Sequence, residues 1–250
     1  MNLQEARRIH FVGIGGAGMS AIAKVLLERG KTITGSDLKE SRAARALEFM
    51  GATIFRGHSS SHVDGADALV VSSAIPPSNP ELERARKLGV EVISRGSALA
   101  ALLAGSKAIV VAGTHGKTTT TSMIVSVFRH AGLDPTYLVG GGLNESGTNA
   151  RSGAGDFTIV ESDESDGSFL LLQPHIAVVT NVEVDHVDYW SSLQELEAAF
   201  VRFVEAVHEG GAIVIPKERE PLTANRKAGA RLLTTGDGGD VSGSDVTYTA

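Results

Sequence analysis

Short apolar runs alternate with amphipathic stretches through the first hundred residues. The runs RIHFVGIG, TITGSD, TIFRG, ALVVSSA and VEVIS are a few residues long and carry β-branched or aromatic side chains, which predicts strands. Between them, AGMSAIAKVLLERG, SRAARALEFMGA and NPELERARKLG place apolar residues at helical spacing, with Gly30 and Gly51 closing the first two helices. Asn79 stands where it can cap the third helix, and Pro80 takes its first position, where a missing N–H does no harm. Strands joined by single helices imply a parallel sheet with right-handed crossovers. After a further helix, SALAALLAG, the pattern restarts at Lys107 with AIVVAG, so a domain boundary is expected near Gly105, between residues 1–105 and 106–250.

The second part continues through DFTIVESDESD, HIAVVTNVEVDH, a helix from Leu193 to His208, and GGAIVIP. Beyond Pro216 the periodic signal weakens: GDGGDVSGSD is polar and turn-rich, and the final VTYTA reads as a strand with nothing after it. The expected fold class is α/β, an N-terminal Rossmann-like parallel-sheet domain followed by an incomplete P-loop ATPase-like domain.

Composition narrows function more than fold. Of 250 residues 42% are hydrophobic, enough for well-filled cores, and 29 glycines against 7 prolines suit an α/β protein turned by glycine. A formal net charge of −6, with no basic run of five or more, argues against nucleic acid as a partner. The lack of cysteine excludes disulfides, thiolate metal sites and cysteine nucleophiles. No stretch approaches the roughly 20 apolar residues that span a bilayer, so no membrane insertion is expected and the cytoplasm is the simplest location.

Two glycine turns carry the candidate chemistry. GIGGAGMS holds Gly13, Gly15 and Gly18 in GxGxxG spacing after a strand and before a helix, and Asp37 follows nineteen residues after Gly18 at the end of the next strand. That context suits a nucleotide diphosphate, with the acidic side chain on ribose hydroxyls; it serves UDP as well as NAD, and the turn does not encode the base. His58 and His62 follow the third strand, where one of them could reach such a diphosphate, while His130, His175 and His208 read as surface residues.

The second turn, VVAGTHGKTTTTS, is a GxxGKT variant of the phosphate loop, with Val111 where a full Walker pattern has its first glycine. Lys117 can neutralise β- and γ-phosphates, Thr118 can place its hydroxyl on Mg²⁺, and the backbone from His115 to Thr119 can wrap the phosphates of a nucleotide triphosphate. The next two strands deliver Glu161, Asp163, Glu164 and Asp166, then Asn181, Glu183, Asp185 and His186, at the ends that should face this loop. So many carboxylates together call for a cation, although histidine is an unusual magnesium ligand.

These residues resemble the Mur ligases of peptidoglycan synthesis, and most closely the branch that adds L-alanine. The matches are HFVGIGGAGMSAIA, GSD at 35–37, VVSSAI at 70–75, AGTHGKTTTTSM, GGLNESGTNAR, ESDESDGSFL and VVTNVEVDHVDYW. A sibling that attaches a recycled tripeptide to the same sugar nucleotide is the nearest competitor.

The resemblance implies that the first domain binds UDP-N-acetylmuramic acid through Gly13, Gly15, Gly16, Gly18, Met19 and Ser20, with Asp37, His58, Ser72 and Ser73 near the nucleotide. It implies that Asn149 and Arg151 lie near the substrate, and that Gly113, Thr114, His115, Gly116, Lys117, Thr118, Thr119 and Asn181 surround ATP. Thr118, Glu161 and His186 would hold Mg²⁺, and Lys117, Glu161 and His186 would carry the catalysis. The implied reaction phosphorylates the lactyl carboxylate and lets the amine of L-alanine attack the acyl phosphate; positioning and charge neutralisation carry the rate.

Family members carry a third domain for the amino acid, which is expected to be missing here together with the end of the central domain. Little or no ligase activity is therefore expected of this chain alone. A nucleotide-binding module without catalysis and an NAD-dependent oxidoreductase remain the alternatives.

Overall fold

The computed structural model describes residues 3–140, 148–183 and 189–243. The chain divides into two compact units: Met1–Ala104 with Asp134–Gly155, and Gly105–Leu133 with Asp156–Ala250.

In the first unit β1 (Arg8–Val12), β2 (Thr32–Asp37), β3 (Thr53–Arg56), β4 (Ala68–Val71) and β5 (Glu91–Ser94) form a sheet in the order β3-β2-β1-β4-β5, every neighbouring pair parallel. The middle strand β1 is buried along almost its whole length, as a strand covered on both faces must be. Helices α1 (Ala17–Glu28), α2 (Arg42–Phe49) and α3 (Pro80–Leu88) connect strands of this sheet, and α4 (Arg95–Leu103) follows β5. Ser41, Asn79 and Ser94 each accept a hydrogen bond from a first-turn amide, so three helix starts are fixed by local side chains. Helix α1 turns Met19, Ile22, Ala23, Val25 and Leu26 into a core with Ile9, Phe11, Leu69 and Val70. Each large apolar side chain buried this way contributes about 1.5–3 kcal/mol.

The segment 134–155 holds two strands absent from the sequence-based expectation, β7 (Thr136–Leu138) and β8 (Ala150–Arg151), paired antiparallel. It is fastened to α1 by Lys24 on Thr148 and by the Ser152 amide on Glu28 Oε2 at 2.6 Å.

The second unit contains β6 (Lys107–Ala112), α5 (Lys117–His130), β9 (Phe157–Glu161), β10 (Ile176–Val179), α6 (Leu193–Glu205), β11 (Ala212–Pro216) and β12 (Arg231–Thr235). Its strands run β12-β11-β10-β6-β9, all neighbours parallel. Helix α6 buries Leu196, Ala199, Phe200, Phe203 and Val204, an apolar stripe at helical spacing. Phe169 meets Phe200 and Phe203 at centroid distances of 5.2 and 5.4 Å. Helix α6 stops at Glu205, short of the expected His208, and β12 follows where the periodic signal had faded. The expected strand VTYTA lies outside the described residues.

Candidate functional site

The glycine turn of the first unit leaves the carboxyl end of β1 and opens α1. Gly13 takes a φ of 83°, and its amide and that of Ile14 both donate to Ser36 O, at 2.8 and 3.1 Å. The Gly15 amide donates to Asp37 Oδ2 at 2.9 Å, while Oδ1 accepts from the Lys39 amide at 3.0 Å. Asp37 therefore holds the turn itself. A Cβ on Gly18 would come within 2.9 Å of Arg95 Nη1, so this glycine admits a guanidinium beside the start of α1. Gly16 caps that helix without a side-chain bond, and no acidic residue stands in its first turn. A cation next to the positive end of a helix suits an anion lying between them.

Ser72 sits at the end of β4 against Gly13, and Ser73 beside it is exposed. Met19 belongs to the core, and Ser20 is buried with its hydroxyl on Ala17 O at 3.0 Å. A cavity of about 500 Å³ lies beside the turn, lined by Gly15, Ser20, Lys24, Arg42 and Asn149 among others. Arg151 pairs with Asp134 at 2.7 Å. His58 Nδ1 meets Glu81 Oε2 at 2.8 Å and Ser36 Oγ at 3.1 Å. Lys24, Arg42, Arg95 and Glu81 were missed by sequence reasoning. Arg95 had one signal, its place just after a strand end of the same sheet, where ligands gather.

In the second unit the loop from Gly113 to Gly116 joins β6 to α5. Gly113 has a φ of 136°, and a Cβ there would come within 2.8 Å of Asn181 O besides striking Thr180 Oγ1. Asn181 grips the loop from the side: its Oδ1 accepts from the His115 amide at 2.8 Å, and its Nδ2 donates to His115 O at 3.1 Å. The Thr114 amide donates to Asn181 O at 3.2 Å, and the Thr114 hydroxyl spans the Glu183 backbone at 3.0 and 3.1 Å. The amides of Thr114 and His115 are thus committed within the protein. The first-turn amides of α5, at Lys117, Thr118 and Thr119, have by position no intrahelical partner and are the ones an anion can use.

Lys117 folds back over this loop. Its ammonium donates to Gly113 O at 2.6 Å, Thr114 O at 3.1 Å and Glu164 Oε2 at 3.0 Å, with Asp163 Oδ1 at 3.6 Å. Burial raises the Glu164 carboxyl above its usual range, and the Lys117 contact offsets only part of that. Asp163 goes the other way: burial opposes ionisation, but bonds from Ser165 and the Lys117 charge hold it below the usual range. Glu161 is in register with Val111 of β6, and its Oε2 is buried without a hydrogen-bond partner. A carboxylate oxygen so placed fits a divalent cation. Among the described residues no group of three His, Cys, Asp or Glu side chains is placed to hold a metal ion, and Asp185 and His186 lie outside them.

Two sets of parallel strands, each with a glycine turn at the carboxyl end of an interior strand, make this an open-sheet α/β protein whose turns lie where such folds gather anions. The Mur ligase family catalytic domain matches residues 8–107 and the Mur ligase middle domain residues 111–249, and the chain belongs to the Mur ligase family.

The chain is 52% identical over 216 residues to the UDP-N-acetylmuramate–L-alanine ligase of Mycobacterium tuberculosis, covering 84% of this chain and 44% of that protein. Among solved structures, the UDP-N-acetylmuramate-alanine ligase of Thermotoga maritima superposes with a TM-score of 0.80 at 31% identity, over 94% of this chain and 54% of that one. The UDP-N-acetylmuramate:L-alanyl-gamma-D-glutamyl-meso-diaminopimelate ligase of Neisseria meningitides gives 0.84 at 29% identity, over 92% and 78%. The chain spans about half the length of the curated relatives it matches. No helix among the described residues is long and apolar enough to cross a membrane.

Proposed function

We propose that this chain carries the nucleotide-binding parts of a ligase that joins L-alanine to the lactyl carboxylate of UDP-N-acetylmuramic acid, using ATP, in the cytoplasmic stage of peptidoglycan synthesis. The observation that carries this reading is the second turn, where Lys117, three first-turn amides and the orphaned Glu161 oxygen stand together at adjacent strand ends. Alanine is favoured as the amine because the curated relatives that are 48–52% identical to this chain are named as L-alanine ligases.

In the proposed reaction the γ-phosphoryl group passes from ATP to a lactyl carboxylate oxygen and ADP departs. The amine of alanine then attacks the acyl carbon, loses a proton, and inorganic phosphate leaves. Lys117 neutralises the phosphate oxygens, and the amides of residues 117–119 orient them. Thr118 and Glu161, with His186, are the residues that would hold Mg²⁺, which when bound neutralises charge on the transferred group. The first unit would seat the UDP-sugar at the Gly13–Gly18 turn, with Asp37, His58, Ser72, Ser73, Asn149 and Arg151 around it.

Calorimetric titration with UDP-N-acetylmuramic acid, UDP, ATP and NAD in parallel tests this. The expected result is binding of the UDP-sugar and ATP but not NAD; binding of NAD without the UDP-sugar overturns it. Alanine-dependent phosphate release by the 250-residue chain then separates a working ligase from a module that binds without turnover.

A further inference from the structure

The first unit buries a second set of titratable groups next to its glycine turn. Glu81, the second residue of α3, is fully buried, and its oxygens are covered from the other side of the sheet end. Oε2 accepts from Ser36 Oγ at 2.7 Å and from His58 Nδ1 at 2.8 Å, while Oε1 accepts from His62 Nδ1 at 2.7 Å. His10 of β1, also fully buried, brings Nε2 to 3.5 Å from Oε1 and places Nδ1 on Thr34 Oγ1 at 2.8 Å. His62 in turn stacks flat on Phe55, with ring centroids 4.1 Å apart. Burial alone would raise the Glu81 carboxyl; His10, Ser36, His62 and His58 together lower it to about 2, so it is an anion at neutral pH.

Both His58 and His62 turn the same nitrogen, Nδ1, to this carboxylate. An ionised carboxylate only accepts, so Nδ1 carries the proton in each ring and, in the neutral imidazole, Nε2 is left as an acceptor. The two nitrogens of an imidazole point away from each other, and the His58 and His62 side chains are 13% and 16% exposed while Glu81 is sealed. The acceptor nitrogens therefore face outward. Ser36 ties the cluster to the turn, because its carbonyl accepts the amides of Gly13 and Ile14 while its hydroxyl donates to Glu81.

We propose that Glu81 is a positioning residue of the sugar-nucleotide site: it fixes the Nδ1–H tautomer of His58, so that Nε2 meets the bound nucleoside as an acceptor and selects a donor group on it, a ribose hydroxyl or the imide N–H of uracil. This rests on the reading that the Gly13–Gly18 turn seats a UDP-sugar. Two replacements separate tautomer from mere structure. Glu81→Gln keeps the shape but puts an N–H₂ group on one side, facing His58 or facing His62, and drives the imidazole it faces to the opposite tautomer. His58→Asn keeps a bond to Glu81 through its amide nitrogen and removes Nε2 alone.

Ring-¹⁵N-histidine NMR and calorimetry on the full chain test the proposal, with UDP-N-acetylmuramic acid, UDP, N3-methyl-UDP and ATP as probes. In the unsubstituted chain His58 is expected to carry its proton on Nδ1 at pH 8, with Nε2 shifting when the UDP-sugar binds. His58→Asn should bind the UDP-sugar about tenfold more weakly, the scale of one lost hydrogen bond with its partner left unpaired, and Glu81→Gln should do the same when its ring-¹⁵N spectrum shows the His58 proton moved to Nε2. ATP affinity should stay within about twofold, since it is read in the other unit, and His58→Asn should leave the melting temperature near that of the parent. Loss of UDP affinity on N3-methylation assigns the imide as the donor, and unchanged affinity assigns the ribose.

A proton on Nε2 of His58 in the unsubstituted chain, or UDP-sugar affinity within twofold in both variants, overturns the inference while leaving the proposed function standing. Failure of the unsubstituted chain to bind the UDP-sugar overturns the function and this inference with it. Should Glu81→Gln fail to fold, His58→Asn and the NMR measurement still decide.

Discussion

Each unit buries a glutamate beside its glycine turn, and the two are held in opposite ways. Glu81 is pulled down to about 2 by several fixed donors on neighbouring elements, whereas Glu164 is pushed up by burial despite an ammonium 3.0 Å away. The difference lies in commitment. The groups around Glu81 belong to β1, β2 and the segment that follows β3, while Lys117 divides its ammonium among Gly113 O, Thr114 O and Glu164. Glu81 is a settled anion that shapes its surroundings; Glu164 is held by a cation that a phosphate can draw away.

The largest expected effect breaks that second arrangement. Lys117→Ala should weaken ATP binding by about 100-fold or more, since the point charge on the phosphates is gone. It should also destabilise the chain by about 3 kcal/mol, because a buried carboxylate loses its cation. Adding Glu164→Gln should restore most of the melting temperature and none of the ATP affinity. A double variant as unstable as the single one would show that the Lys117–Glu164 contact is not what the fold leans on.

Acid sharpens the contrast between the two carboxyls. Glu81 has a folded value near 2 against an ordinary 4.5, so its contribution is complete above about 4.5 and is lost as pH falls toward 2. Its size is about 3 kcal/mol, from roughly 1.4 kcal/mol per unit. Glu164 has a raised value, so it favours the folded state below the ordinary 4.5 and loses that contribution as pH rises through the folded value. Lowering pH from 5 to 3 should therefore weaken the first unit against the second in the ligand-free chain. Amide exchange in β1 and β2 against β6 and β9, corrected for the intrinsic pH dependence, reads this, and Glu81→Gln should flatten it.

The two turns also differ in how they tolerate a methyl group. Gly113→Ala forces a side chain to a φ of 136° and against the Asn181 backbone, which should cost about 2–3 kcal/mol. At Gly15 the added carbon meets side-chain atoms and no backbone, but Asp37 Oδ2 and Ser41 Oγ at 2.9 Å are the acceptors that hold the turn and cap α2, so the expected cost is smaller, about 1–2 kcal/mol. Thermal melts of the two variants check the order, and a reversed order would mean that the second loop is looser than its contacts imply.

Much of this was legible in the chain. Alternation of apolar runs and amphipathic stretches predicted the five strands of the first sheet and β6, β9, β10 and β11 of the second, because buried parallel strands and their covering helices write strong local periods. Asp37 and Lys117 stood out for a related reason, since each sits in or beside a turn whose spacing is local; Asp37, expected on ribose hydroxyls, spends its oxygens on the Gly15 and Lys39 amides. What lay hidden depends on contacts between distant positions. Strands of three and two residues in 134–155 carry no period, and RLLTT of β12 follows a polar stretch that masks it. The placement of Glu81 under His10, His58 and His62 joins residues up to 71 positions apart, and no neighbour in sequence announces it. Asn181 was expected beside the nucleotide; in the structure its side chain is spent on His115.

That use of Asn181 has a counterpart in Asp37, and exchanging their charges gives the smallest and most discriminating effect. Each lends an oxygen to one amide of its turn, at 2.8 Å for His115 and 2.9 Å for Gly15, but one is neutral and the other an acid. Asn181→Asp keeps the acceptor, loses the donor to His115 O and sets a negative charge beside a triphosphate, so ATP affinity should fall by about tenfold, near 1.4 kcal/mol. Asp37→Asn keeps an acceptor for Gly15 and removes a charge that already faces the first turn; affinity for UDP should stay within about threefold. Calorimetry on the pair decides between two accounts of the turns. Unequal losses mean that the second loop is built around charge and the first around shape, while equal losses mean that both side chains act simply as acceptors.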